Sequence, residues 1–511
     1  MSEDLSRRET LALLGSGVLV TVAQSSGLAA SEATPSAGAP SQSLHFLSLQ
    51  ELASRLQSRT LSPVDVTRHM LDRIAKIDGH LKSYATVTAE QALTDARAAE
   101  RDIRAGKYRG PLHGVPIGIK DLCYTKGVRT MGGTAVRKDF VPSFDATVVS
   151  KLRDAGAIVL GKLNLSEGAA AGYNPAMDVP LNPWNPDRWP GMSSSGSGVA
   201  LAAGLCFAAI GTDTGGSIRM PSSANGVVGL KPTYGRVSRY GVLVMADSLD
   251  HVGPMARRVG DAAVMFEAIA AHDTNDTTAL SDASPRVSQQ LGEGVGGLRI
   301  GIDRDYALKG IDAGQAAAIE SALRVLKSHG AQIIQVKMPD VSHAVDIWMP
   351  ICAYEMAKAH AATFPARSAE YGPYLREFLG GGLKVTPDQL EAAHRARHAL
   401  TKELNALLDS VDAMVGPAGG DPAWPITHAI QVGPLPAYHA AWSAAAPRSS
   451  EFTMPMDLAG VPAICLPCGF SHDGLPYSIQ FTGRRLAEGT LFKIAYAYEN
   501  ATQWHNRHPV V

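Results

Sequence analysis

Three segments of the sequence combine residue types that suit nucleophilic catalysis. In residues 114–122 (GVPIGIKDL), an apolar strand-like run leads to Lys120, although a lysine at a strand end is more often solvated or paired. Residues 190–205 (PGMSSSGSGVALAAGL) form a Gly/Ser loop before an Ala-rich helix, which read alone is a flexible turn or an anion-binding loop. In residues 211–223 (GTDTGGSIRMPSS), two glycines precede Ser217. Successive glycines let backbone amides converge on one point, as an oxyanion hole requires.

Other catalytic motifs do not fit the same residues. Ser193, Ser197 and Ser217 lack the GxSxG pattern of α/β-hydrolases. The run Asp213-Thr214-Gly215 resembles an aspartic protease loop, but that chemistry needs two carboxylates that share a proton, and no second such run occurs. The sequence also lacks a GxxxxGK[ST] phosphate loop and an HExxH motif.

One pair of histidines has the spacing of metal ligands. His394 and His398 lie four residues apart, which can place both on one face of a helix. Because Arg395 and Arg397 interleave with them, a solvated helix is the favoured interpretation. We therefore expect no metal site.

The cysteines indicate a reduced core rather than a disulfide framework. The chain has five, an odd number. Cys465 and Cys468 have a CxxC spacing, but apolar residues flank them as in a buried strand. Three residues of strand span roughly 10 Å, whereas the Cα atoms of a disulfide lie within about 7 Å. Both residues are predicted to be small core side chains.

The segments that must position the chemistry alternate between strands and helices. Ser48 with Glu51 forms a capping box, and a second helix is predicted from Ser62-Pro63 until Gly79. Short apolar runs at residues 157–160 and 298–302 alternate with helical patterns, the rhythm of an α/β protein. The folded body is therefore predicted to begin near residue 45.

Composition and charge exclude several classes of function. The 511-residue chain has 47 Lys+Arg against 48 Asp+Glu and no basic stripe, so nucleic acid is not an expected partner. No apolar run reaches the roughly 20 residues of a membrane-spanning helix, so stable membrane insertion is not expected either. A homo-oligomer is compatible with the sequence.

The N-terminus resembles an export signal. Arg7 and Arg8 precede a short apolar run from Leu11 to Ala23, and small residues follow. The Arg pair is typical of a twin-arginine signal. We predict a signal peptide over residues 1–30, a flexible linker over 31–44, a catalytic domain over 45–511 and a periplasmic or otherwise exported location. An ordinary amphipathic N-terminal helix is the alternative.

Taken together, the three segments resemble the amidase signature family. The resemblance continues through GKLNLSEGA (161–169), GLKPTYGRVS (229–238) and SLDHVGPMARRVGDAA (248–263) to the closing stretch 452–509. It implies a single large α/β domain with a central mixed β-sheet covered by helices on both faces. Two departures, Met192 and Ser195 where the family usually has glycines, are expected to narrow the pocket or restrict the loop.

The resemblance also implies a mechanism of carboxamide hydrolysis without a metal or organic cofactor. Ser217 would be the nucleophile, Ser193 the proton relay after a cis Met192–Ser193 peptide, and Lys120 the base, whose amine burial would keep neutral. The oxyanion would be held by backbone amides of Thr214, Gly215, Gly216 and Ser217.

The substrate is predicted to be a small neutral alkyl or aryl amide. This expectation comes from the apolar and aromatic character of a predicted pocket that comprises Tyr124, Tyr173, Met192, Trp348 and Trp442. Two other functions stay open: an amidotransferase component that supplies ammonia to a partner enzyme, and a non-catalytic binding protein on the same scaffold.

Overall fold

The computed structural model of the protein describes residues 43–511. The predicted signal peptide and all but the last two residues of the predicted linker lie outside this range. Among the described residues, the helices are all too short or too polar to cross a membrane.

One mixed β-sheet of eleven strands organises the described part of the chain. In spatial order the strands are β1, β3, β2, β4, β6, β5, β10, β11, β9, β7 and β8; their bounds are β1 Tyr84–Val87, β2 Pro116–Lys120, β3 Ile158–Leu163, β4 Ala208–Asp213, β5 Val228–Lys231, β6 His251–Ala256, β7 Arg299–Ile302, β8 Gln332–Gln335, β9 Ala413–Gly416, β10 Ala463–Phe470 and β11 Pro476–Thr482. β3, β2 and β4 are parallel neighbours, as are β9, β7 and β8, and the other neighbouring pairs are antiparallel.

Helices cover both faces of this sheet. Successive side chains of a strand point to opposite faces, and every residue of β2, β4 and β6 is buried. The predicted fold is thereby confirmed. The helices are α1 Leu49–Gln57, α2 Pro63–Leu81, α3 Ala89–Arg104, α4 Thr147–Asp154, α5 Ser195–Ala202, α6 Arg219–Asn225, α7 Val259–Ile269, α8 Arg304–Leu308, α9 Ala313–Ser328, α10 Ala344–Ala359, α11 Pro373–Gly382, α12 Pro387–Asp409, α13 His428–Val432, α14 Leu435–Ala445, α15 Ser449–Leu458 and α16 Glu488–Asn500.

The two predicted N-terminal helices form where their caps place them. Ser48 and Glu51 make both hydrogen bonds of the capping box before α1, and the Ser62 hydroxyl accepts from two amides of α2. α2 does not end at Gly79 as predicted but continues to Leu81. The helix stops there because Lys82 takes the left-handed conformation, with φ 58°.

The side chains that resembled redox and metal motifs have structural positions. Cys465 and Cys468 are buried free thiols in β10, as predicted. The histidine pair lies on α12, where Arg395 bonds to Glu391 and Arg397 donates to the carbonyl of Leu458. Within residues 43–511, no three His, Cys, Asp or Glu side chains converge as a metal site would require.

Candidate active site

Lys120 ends strand β2 and points into a nest of hydroxyl groups. Its Nζ lies 2.7 Å from Ser193 Oγ, 2.8 Å from Ser194 Oγ and 2.7 Å from Thr212 Oγ1. The side chain has no solvent exposure. Thr212 is near the carboxyl end of β4, the parallel neighbour of β2, so both residues reach the same edge of the sheet, where α/β proteins place their sites.

Burial makes Lys120 a usable base. Removing the ammonium from water lowers the pKa of Lys120 to about 7, although the charges of Asp213 and Asp250 act in the opposite direction. Near neutral pH, a substantial fraction of the side chain is therefore the free amine. In that form the nitrogen has a lone pair that can accept a proton from a neighbouring hydroxyl.

The loop before α5 presents the two serines that contact this lysine. The Met192–Ser193 peptide is cis, as the resemblance implies. The Ser194 hydroxyl donates to the Thr212 carbonyl at 3.2 Å and accepts from the Thr212 amide at 3.2 Å, which fastens the loop to β4. The Ser194 amide donates to the Ser217 carbonyl at 3.2 Å. The loop and the segment that carries Ser217 are thus directly joined.

The glycine loop before Ser217 is held by the carboxylate of Asp213. This carboxylate accepts the amide hydrogens of Gly216 at 2.6 Å and Ile218 at 3.0 Å. The Gly216 amide was expected to serve the oxyanion, but it is already engaged because the Asp213 side chain turns back under the loop. Among the described residues, the amides of Gly215 and Ser217 donate to no other group and can still do so.

Two side chains hold the same loop through its carbonyl groups. Trp348 Nε1 donates to the Thr214 carbonyl at 2.7 Å, and Thr453 Oγ1 donates to the Gly215 carbonyl at 2.7 Å. Because the N–H and C=O of a trans peptide point in opposite directions, the Gly215 amide faces away from Trp348. Gly216 has φ 126°, and a Cβ there would lie 2.7 Å from Thr453 Oγ1, so glycine is required at this position.

A buried cluster of charges supports this loop from beneath. Arg219 donates to Asp213 Oδ2 at 3.0 Å, to Asp457 Oδ2 at 2.7 Å and to Gln480 Oε1 at 3.1 Å. All three ion-paired side chains are without exposure. Such a cluster fixes the loop through several bonds at once, and no sequence motif pointed to it.

Asp250 holds the start of the loop from another direction. Its carboxylate accepts from Thr214 Oγ1 at 2.7 Å and from the amides of Met245 at 2.9 Å and Ala246 at 3.1 Å. Burial raises the pKa of Asp250 to about 6, so at neutral pH the group is mainly ionised. Its charge therefore contributes to the field at Lys120.

Comparisons with known proteins agree with this geometry. The sequence matches the amidase family over residues 65–492. The chain belongs to the amidase family. It is 42% identical over 465 residues to the protein AmiD of Mycobacterium tuberculosis (strain ATCC 25618 / H37Rv), a match that covers 91% of this chain and 96% of AmiD. It is 38% identical over 486 residues to one of the glutamyl-tRNA(Gln) amidotransferase subunits, that of Geobacter sp. (strain M21), covering 90% and 98% of the two chains.

A solved structure extends the comparison to the fold. The native peptide amidase from Stenotrophomonas maltophilia superposes with a TM-score of 0.79 at 32% identity, over 89% of this chain and 97% of that one. The predicted resemblance to amidase signature enzymes and the amidase class of the enzyme are both confirmed.

A cavity of about 210 Å³ in this amidase opens beside Ser217. The Ser217 side chain is half-buried and lines it. Three of the predicted pocket residues, Met192, Trp348 and Trp442, line it as well. The other lining residues are mostly apolar or aromatic: Ala169, Ala170, Ala171, Gly215, Met220, Met245, Ser342, Val345, Met349, Tyr374, Tyr438, His439, Ser443, Pro447, Ser450, Glu451 and Met454.

The other two predicted pocket residues of the amidase lie elsewhere. Tyr124 packs against Phe140 and Phe144, because its amide bonds to the Gly241 carbonyl and turns the side chain towards another cavity. Tyr173 is buried, and its hydroxyl donates to Ser195 Oγ at 2.9 Å. Neither side chain lines the cavity at Ser217.

Proposed function

We propose that this amidase hydrolyses small neutral carboxamides through an acyl-enzyme on Ser217. The observation that carries the proposal is the contact of Lys120 Nζ with Ser193 Oγ at 2.7 Å, together with the lowered pKa of that lysine. A serine hydroxyl attacks a carbonyl only when a base removes its proton. Lys120 is the base, and Ser193 carries the proton between Lys120 and Ser217.

The first half of the reaction forms the acyl-enzyme. Ser217 Oγ bonds to the carbonyl carbon while its proton passes to Ser193, whose own proton passes to Lys120. The carbonyl electron pair moves onto oxygen, where the amides of Gly215 and Ser217 stabilise the negative charge. The lysine ammonium then returns a proton through Ser193 to the nitrogen, the C–N bond breaks, and ammonia or an amine leaves.

The second half releases the acid. Water attacks the ester carbonyl and gives its proton through Ser193 to Lys120, which regenerates the ammonium and an oxyanion. Collapse of this intermediate breaks the bond to Ser217 Oγ, and that oxygen takes up the proton from Lys120 through Ser193. The carboxylic acid leaves, and the enzyme returns to its starting state.

The chemistry of the cavity supports a neutral substrate. None of the described residues that line it is lysine or arginine. The carboxylate in its wall, that of Glu451, pairs with Arg448 at 2.8 Å. Burial lowers the pKa of His439, so its imidazole is mainly neutral at pH 7. Methionine and aromatic side chains make up much of the remaining wall, which favours alkyl or aryl groups.

The amidotransferase role is the second candidate, because the relatives include glutamyl-tRNA(Gln) amidotransferase subunits. Glutamine carries an α-carboxylate, and burial of an unpaired charge is costly. The described wall of the cavity offers that carboxylate no lysine or arginine, so we favour hydrolysis of a neutral amide. Turnover of such an amide by the isolated chain, without ATP or a partner, would support this choice; turnover of glutamine alone would favour the second candidate.

Covalent labelling tests the assignment of the nucleophile. The enzyme is treated with an alkyl fluorophosphonate and digested, and the modified peptide is identified by mass spectrometry. We expect the adduct on Ser217, with no labelling or amide turnover in Ser217→Ala. Ser197→Ala is the matched control, since that hydroxyl is buried and donates to the Ile210 carbonyl at 3.0 Å. An adduct on Ser193 or Ser197 would overturn the assignment, and no adduct at all would favour a binding protein.

We also propose that the enzyme is exported in folded form. The support is the Arg7–Arg8 pair before a short apolar run. Replacement of both arginines by lysine should retain amidase activity in the cytoplasm, measured by cell fractionation. Unchanged periplasmic activity in that double variant would remove the twin-arginine proposal.

A further inference from the structure

Met192 occupies a decisive position beside the proposed catalytic groups. It stands where the family usually has glycine, and it immediately precedes Ser193. Its half-buried side chain lines the same cavity as Ser217. A substrate carbonyl placed between Ser193 and Ser217 must therefore have its nearest substituents close to the Met192 thioether.

Tyr438 fixes the methionine side chain. The Tyr438 hydroxyl lies 3.3 Å from Met192 Sδ and donates to it. Methionine is normally flexible and adapts to its surroundings, so a donor at this distance limits its freedom to move aside. Tyr438 is itself buried, at 3% exposure, and also lines the cavity.

Aromatic packing makes this wall rigid on both sides. On α14, Tyr438 and Trp442 are one turn apart, with ring planes inclined by 20°. Tyr438 also meets Tyr374 edge to face at 4.8 Å between ring centroids. Trp442 contacts the stacked pair of Trp189 and Trp424, whose centroids are 4.2 Å apart. Because Trp189 is in the same loop as Met192, the loop and α14 are held together.

We infer that Met192, held by Tyr438, determines specificity by narrowing the cavity next to the scissile carbonyl. The substrate class is then amides whose carbon next to the carbonyl is unbranched. A second substituent on that carbon meets the thioether, which cannot rotate away without losing its hydrogen bond. This inference rests on the proposed function and adds the shape of the substrate to it.

Two isomeric amides test the inference without a change in composition. Hexanamide is unbranched, whereas 2-ethylbutanamide has the same atoms with a branch next to the carbonyl. The measured quantity is kcat/KM for 2-ethylbutanamide divided by kcat/KM for hexanamide, from ammonia release. A ratio is independent of the active-enzyme concentration, and comparison with wild type cancels the intrinsic reactivity of the two amides.

Removal of the side chain should raise this ratio by about tenfold or more in Met192→Gly, the range expected for steric discrimination in a pocket. Met192→Leu, similar in volume, should keep the ratio within about threefold of wild type, and Tyr438→Phe should give an intermediate increase because the thioether is freed. If the glycine variant loses all turnover, Met192→Ala should show the same direction of change.

Different results would overturn the inference or its foundation. An unchanged ratio in the glycine and alanine variants, with hexanamide still hydrolysed, would overturn the role of Met192 alone. An equally large increase in Met192→Leu would also overturn it, since volume would then not be the cause. Failure of wild type to hydrolyse either amide faster than Ser217→Ala would count against the proposed function itself.

Discussion

The carboxylate of Asp213 accepts the amide hydrogen of Gly216 at 2.6 Å, one residue before the proposed nucleophile. The same carboxylate bonds to Ile218, one residue after it. Ser217 is thus presented between two amides that one buried side chain holds in place. Although burial alone would raise it, the pKa of Asp213 is held below its ordinary value by Arg219.

Asp213→Asn should therefore destabilise the fold as well as the site. Asparagine keeps the shape but leaves Arg219 with one buried carboxylate instead of two, and removing one partner of a buried pair costs about 3–5 kcal/mol. Urea denaturation should show a lower midpoint, and kcat should fall. Ser217→Ala is the control, since it should lose activity at an unchanged midpoint. Equal midpoints for Asp213→Asn and wild type would contradict this account.

The activity should depend on the ionisation of Lys120. Because burial lowers its pKa to about 7, kcat/KM should rise with pH and level off above that value. The measurement is a pH–rate profile for a neutral amide at constant ionic strength. Lys120→Arg should not restore turnover, since guanidinium remains protonated. A Lys120→Arg enzyme with normal turnover and the same profile would make the lysine a structural cation only.

The same lysine should leave a signature in stability. Between about pH 7 and the ordinary lysine value of 10.5, the unfolded chain binds a proton that the folded one does not. The free energy of unfolding should therefore rise with pH in this window. Lys120→Met removes the titration, while Lys162 and Lys231, whose pKa values burial also lowers, remain in both proteins. The difference between the two unfolding free energies should grow with pH, and a flat difference would refute the lowered value.

Sequence patterns located the residues that are close to each other in the chain or fall within recognisable motifs. Lys120, Ser193 and Ser217 were each found in this way, and the structure brings Lys120 to Ser193 directly. The supports of the glycine loop could not be found so. Trp348 bonds to a residue 134 positions away, and Asp457 to one 238 positions away, so only the folded sheet reveals these contacts.

Local pattern also misplaced two aromatic residues. Tyr124 follows the lysine segment closely, which made it a reasonable pocket residue. However, the chain turns after Lys120, and the hydrogen bond from the Tyr124 amide to Gly241 directs the side chain to another cavity. Tyr173 was misplaced for a different reason: its hydroxyl satisfies a serine that the family usually lacks. Hydrophobicity alone could not distinguish these two from Trp348 and Trp442.

The Tyr173–Ser195 contact predicts a measurable coupling. Either Tyr173→Phe or Ser195→Ala leaves one buried hydroxyl without its partner, whereas the double variant removes both groups. The two single changes should therefore destabilise the protein, when summed, by more than the double variant does. A double-mutant cycle on urea unfolding should give a coupling of about 1 kcal/mol. Additive effects would mean that the contact contributes nothing to stability.

Finally, the charge of Asp250 should tune the base. Burial is the main reason that the pKa of Lys120 is low, and the negative charges of Asp213 and Asp250 partly offset it. Asp250→Asn removes one of these charges, so the ammonium becomes less stable and the inflection in kcat/KM should move to lower pH. The amide oxygen of asparagine can still accept the Thr214 hydroxyl, which should preserve the loop.

The control for this charge effect is Asp247→Asn. Its carboxylate is 73% exposed, so water and salt screen it and the inflection should not move. Profiles of the two variants and wild type at one ionic strength would separate the outcomes. An inflection that stays in place in Asp250→Asn, or moves to higher pH, would show that the negative charge of this carboxylate does not stabilise the Lys120 ammonium, and its role would then be confined to holding Thr214 and the turn at Met245.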